Sequence, residues 1–204
     1  MSQSPVLLEA LPSQVGKLTT CINCKWSQKL LVTVFLKSHR FFRHYASFLP
    51  ILDAQTKPNG YYAQSPFLFW AVIGVASRSY SRNPTLHTAL AQEVTEMAFL
   101  SVLSTCAPWY IIQGLLLLLT WPFPKENRPD VTFPLSGMLL HVAMQNGFHI
   151  PMSSHEFSRV KIPASSDLDM VRRSELWAHC VLVYQRWVSF FQSVAKRTYR
   201  ADSF

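Results

Sequence analysis

The sequence predicts an all-α fold, an irregular multi-helix array that is incomplete in itself, and three observations carry that expectation. Apolar residues recur at helical spacing in successive segments. Proline and glycine fall at the ends of those segments, where helices start and stop. No alternating run of apolar and polar residues is long enough to build a sheet. The composition of the 204-residue chain, 49% hydrophobic and 15% charged, is too apolar for a disordered segment. It also leaves little charge to cover a surface, so exposed apolar area is expected, and with it a missing partner or missing chain.

Residues 1–26 lack sustained periodicity and contain Pro5, Pro12 and Gly16, which predicts an irregular leader. A helix is expected over 27–48, with Ser27 as N-cap and Leu30, Val34, Phe41, Tyr45 and Phe48 apolar, although Leu31 to Phe35 alone would suit a strand. Pro50 stops it, and Asp53 through Asn59-Gly60 has the chemistry of a loop or turn. Ser65-Pro66 is a cap followed by proline at the first helical position, opening a helix from about 65 to 81 that ends before Asn83-Pro84. Thr85 caps the next, whose Leu86, Leu90, Val94 and Met97 share one face.

Pro108 restarts the chain, and Trp109, Ile112, Leu115, Leu116 and Leu119 line a very apolar helix that Pro122 and Pro124 terminate. This segment is the expected central core helix. Residues 122–131, with Lys125-Glu126-Asn127-Arg128, are expected at the surface. Leu135, Leu139, Val142 and Ala143 predict a helix from Thr132 to about 146, stopped by Asn146-Gly147. After a loop to about Ser166, a last helix opens on the acidic caps Asp167 and Asp169. Its Trp177, Cys180, Tyr184, Trp187, Phe191 and Val194 form a heptad-like seam, to be covered by another helix or a second molecule. The domain is thus expected over 27–195, with 196–204 as a basic tail.

The net charge of +8 is concentrated at the ends of the chain. Lys37 to Arg43 and Lys196 to Arg200 mix basic and aromatic residues, a pattern that suits a solvated helix face better than a nucleic-acid arm. Cys21, Cys24, Cys106 and Cys180 are too few and scattered for a disulfide framework, which points to a reducing compartment. No secretory signal opens the chain. Leu115 to Leu119 is far shorter than a spanning helix requires.

Cys21-Ile22-Asn23-Cys24 has half of a zinc-site spacing with no second pair nearby. His141, His149, His155 and Glu156 lack the same-face spacing of a helical metal motif, and Ser153-Ser154-His155-Glu156 is a polar loop before it is a nucleophile and base. Arg172 and Arg173, beside Asp167, Asp169 and Glu175, are expected to form local ion pairs. No catalytic, cofactor-binding or metal residue is assigned, and the chain is expected not to be an enzyme.

Five stretches, taken in order, resemble a known family. They are Phe41-Phe42-Arg43-His44-Tyr45 with Phe48-Leu49-Pro50-Ile51-Leu52; Ser65-Pro66-Phe67-Leu68 with Trp70-Ala71-Val72-Ile73; Ile112-Gln113-Gly114 with Leu115 to Leu118; Leu139-Leu140-His141-Val142-Ala143 with Gly147-Phe148-His149; and Val171-Arg172-Arg173 with Leu176-Trp177 and Tyr184-Gln185-Arg186. Together they resemble the middle homology region of fungal zinc-cluster transcription factors, with a narrower likeness to activators of secreted-protease genes.

The resemblance implies a truncated regulatory domain of a nuclear factor controlling RNA polymerase II gene expression. It implies zinc and DNA contact only through a six-cysteine module that four cysteines cannot supply. It leaves room for a homodimer or heterodimer with related factors and for a small-molecule effector, with no membrane partner. The alternative is a small helical membrane-associated protein whose 109–121 segment lies at the lipid interface.

Overall fold

The computed structural model describes residues 41–201 except 54, 57, 80–84, 104–105, 125–129 and 152–166. The leader, residues 27–40 of the helix expected over 27–48, Cys21, Cys24, Ser153 to Glu156 and the Lys125 to Arg128 cluster lie outside the described residues; the rest of that helix is helical only over 41–44 and is turn over 45–48. Six helices follow a helical turn at 41–44: α1 Pro58–Gln64, α2 Pro66–Ser77, α3 Thr85–Ser101, α4 Pro108–Thr120, α5 Thr132–Gln145 and α6 Asp167–Ala201. No strand occurs among the described residues, so the all-α expectation holds. The chain divides into two compact units, Met1–Pro124 and Lys125–Phe204.

In the first unit α2 is the hub, packing on α1, α3 and α4. Every residue from Phe67 to Ser77 is buried, as is every residue from Ile111 to Leu119 of α4. The expected core helix therefore shares the centre with α2, and both are apolar all round, as fully enclosed helices must be. Burial of 111–119 inside protein also corrects the alternative in which this segment met lipid. No described helix is long and apolar enough to cross a membrane. Ser65 caps α2 as expected, its Oγ accepting the Leu68 N–H at 3.2 Å, with Pro66 at the first position. In α3 the predicted face of Leu86, Leu90, Val94 and Met97 is buried throughout.

The stretch read as a loop up to Gly60 is partly helical. Asp53 makes the turn, accepting the Gln55 N–H at Oδ1 (2.9 Å) and the Thr56 hydroxyl at Oδ2 (3.3 Å). α1 then starts at Pro58, because proline and its two successors occupy the first turn, where helix breakers do least harm. Tyr61 holds it down: its ring is buried and its hydroxyl donates to the Asp53 carbonyl at 2.5 Å. Burial pushes the phenol up to about 12.

In the second unit α5 and α6 pack as a pair. The stop at Asn146-Gly147 is a Schellman turn. Gly147 has φ 70°, its N–H donates to the Met144 carbonyl, and the Phe148 N–H donates to the Ala143 carbonyl, both at 3.0 Å. Gly147→Ala should therefore lower stability by about 1 kcal/mol, because a Cβ is strained at positive φ. At Gly137 of α5 an added Cβ meets nothing within 4 Å. Gly137→Ala should raise stability by up to ~1 kcal/mol through helix propensity, and urea midpoints of the two variants should move in opposite directions.

The seam of α6 differs from the expected one. The buried stripe is Leu176, Cys180, Val183 and Trp187; Trp177, Tyr184 and Phe191 sit at its margin, and Val194 is exposed. Both stripes have a heptad-like spacing and share Cys180 and Trp187, so the line of contact with α5 decides which is covered. Asp167 and Asp169 lie in the first turn, where their charge suits the positive end of the helix dipole. The helix continues to Ala201, past residue 195.

Candidate functional site

The motif stretches are spread along the sequence, yet they meet in space as local joints, one set in each unit. In the first unit the Gln113 side chain donates from Nε2 to the Ile51 carbonyl at 2.5 Å, tying two stretches separated by 62 residues. Next to it, Gly114 brings α4 against the Phe67 ring of α2; a Cβ there would lie 2.5 Å from Cε1. Phe41 and Tyr45 present their rings to the edge of Trp121, at 6.4 and 5.4 Å, so the first stretch docks on the end of α4.

A second tie in this unit joins α2 to α3. Ser77 Oγ donates to the Gly74 carbonyl at 2.6 Å and lies 2.9 Å from His87 Nδ1. Serine and histidine this close suggest a nucleophile and base. However, the hydroxyl proton is committed to a carbonyl, and Ser77 is only 3% exposed. The pair is a buried polar joint, and Ser77 has no access to a substrate of the kind that catalysis needs. The two residues stand ten apart on different helices, so no local signal could have announced them.

In the second unit Arg173 closes the junction of α5 and α6. Its guanidinium lies 4.6 Å from the centre of the Phe148 ring and donates to the Asn146 carbonyl at 3.3 Å. It thereby serves an unsatisfied carbonyl at the end of α5, where a cation is also favoured by the dipole. Burial lowers the guanidinium's proton affinity, and nearby Asp169 opposes that effect. The expected ion-pair role is thus a minor part of what Arg173 does. Trp177 packs one turn further along, its ring 5.9 Å from that of His149. Truncation in Arg173→Ala should reduce stability by about 1 kcal/mol, and Arg173→Lys should recover only part of it, because lysine has no planar face to lay on Phe148.

The remaining candidates do not converge. His141 is exposed and donates from Nδ1 to the Gly137 carbonyl at 2.8 Å, within its own helix. Cys180 is fully buried, and burial pushes its thiol up to about 12, so it packs as a small apolar group. Among the described residues no three His, Cys, Asp or Glu side chains stand close enough to hold a metal ion.

An all-α array whose motif residues join helices to one another and, among the described residues, assemble no reacting groups defines a packing domain. The model of the fungal specific transcription factor domain matches residues 30–191, and the chain belongs to that family. It is similar to the transcriptional regulatory protein SEF1 of Candida albicans, at 29% identity over 153 residues, covering 74% of this chain and 16% of that protein. Putative transcription factors SEF1 of Kluyveromyces lactis and Eremothecium gossypii are 28% and 29% identical, covering 73% and 60% of this chain and 13% and 12% of theirs. The chain therefore spans less than a fifth of the curated relatives it matches. No solved structure matches it. The family and these relatives are transcription factors and not enzymes.

Proposed function

We propose that this chain is the regulatory region of a nuclear transcription factor acting on RNA polymerase II genes. DNA contact and zinc are assigned to a zinc-cluster module outside these residues. The observation that carries the reading is the coincidence of the motif stretches with helix-to-helix joints across the family match. A domain whose motif residues form its joints acts by how its helices are arranged, and regulation follows if a partner or ligand binds one arrangement better than another.

Three buried polar atoms on α2 and α4, Trp70 Nε1, Gln113 Oε1 and Thr120 Oγ1, have no hydrogen-bond partner. They lie on the packed pair α2 and α4, and they support a small-molecule effector as the bound species. Pairing with a like or related factor is the second route.

The test places residues 1–204 between a heterologous DNA-binding module and an activation module in a fungal reporter strain. The chain should change reporter output by about fivefold or more, the lower end of ordinary coupling energies. Arg173→Ala should shift that output after it is normalised to protein level and promoter occupancy. Output equal to that of a fusion lacking the chain would refute the reading.

A further inference from the structure

One feature of the second unit is used by none of these joints: an aromatic patch where the first turn of α5 meets the later part of α6. Phe133, Phe190 and Val194 are 44%, 45% and 43% exposed. Phe191 bridges the two helices, its ring 5.1 Å from Phe133 and 5.6 Å from Phe190. Trp187, buried, forms the floor 5.7 Å from Phe190. Exposed rings gathered on two helices make a shallow saddle, of the kind that accepts a third helix.

The α6 side of the saddle is basic, and the acid nearest its α5 side, Asp130, is turned to the Thr132 N–H and hydroxyl. α5 carries no Asp, Glu, Lys or Arg, and between Leu176 and Ala201 the charged residues are Arg186, Lys196, Arg197 and Arg200, all basic. Arg186 is exposed at the rim, its guanidinium 5.3 Å from the Trp187 ring centre. We propose that this saddle is a docking surface for an acidic amphipathic helix of a protein partner.

Apolar residues of such a helix would cover Phe133, Phe190 and Val194, and its carboxylates would face Arg186 and Lys196. A second copy of this chain fits less well, because symmetric pairing of the same patch opposes like cations. Nucleic acid would match the cations and leave Val194 without an apolar partner.

The experiment titrates the full 204-residue chain into a labelled acidic peptide of about 20 residues, with Leu and Phe at helical spacing, and reads fluorescence anisotropy. Saturable binding is expected, weakened about tenfold by Phe190→Ala and by Phe133→Ala, the loss of one interface anchor each. Arg186→Glu should weaken it similarly, and a peptide with lysine in place of its acids should bind Arg186→Glu better than the native chain. That charge swap keeps the test valid if an alanine variant is unstable. Equal binding of a scrambled peptide of the same composition would overturn the proposal. So would Phe190-dependent binding of phosphatidylserine vesicles or a single-stranded oligonucleotide without peptide binding, or a dimer that Phe190→Ala dissolves.

Discussion

Leu116→Ala is expected to destabilise the first unit by about 2–5 kcal/mol, the range for removing a fully buried leucine side chain and leaving a cavity. Leu116 is wholly inaccessible on α4, between buried neighbours on every side. A helix enclosed all round cannot relieve such a cavity by turning a face to solvent, so the upper half of the range is anticipated. Leu103→Ala, at a position 57% exposed, should change stability by less than about 0.5 kcal/mol. Urea unfolding followed by far-ultraviolet circular dichroism measures both. Equal midpoints for the two variants would contradict the described burial of α4.

Gly114→Val is expected to cost about 3 kcal/mol, at the top of the overpacking range. The new Cβ would lie 2.5, 2.9 and 3.0 Å from three atoms of the Phe67 ring, which is itself buried and has no room to swing. Against this stands a gain in helix propensity of less than ~1 kcal/mol. Phe67→Ala alone should cost about 3–5 kcal/mol, yet the double variant should lose at least ~1 kcal/mol less than the sum, because each change relieves the other's defect. Strict additivity would mean that the glycine is there for some reason other than the close approach of α2 and α4.

Much of the fold was legible from local chemistry. Ser65-Pro66 opened α2, Pro108 opened α4, Pro122 closed it, and Asn146-Gly147 ended α5, because capping and breaking depend on residues within one turn of each other. The stripe of α3 was legible for a related reason: its other face is polar, so only one orientation buries the apolar residues. The all-α class and the family resemblance followed from the same order of landmarks.

Where local chemistry was ambiguous, tertiary contacts decided. Asn59-Gly60 looked like a turn, and burial of Tyr61 together with its bond to Asp53 made it helix. α6 carried overlapping apolar seams, and the position of α5 chose Leu176, Cys180, Val183 and Trp187, leaving Val194 in water. The joints themselves lay beyond reach of sequence periodicity. Arg173 was visible as part of an arginine-rich helix start, but its placement on Phe148 and Asn146 joins residues 25 and 27 apart, and Gln113 reaches Ile51 across 62. The sequence by itself determined where helices begin, where they end and which of them must be enclosed, since those depend on hydrogen bonds and side-chain spacing within a few residues. Only the tertiary structure decided which helix meets which and through what residue, because a contact between distant segments depends on the packing of everything between them.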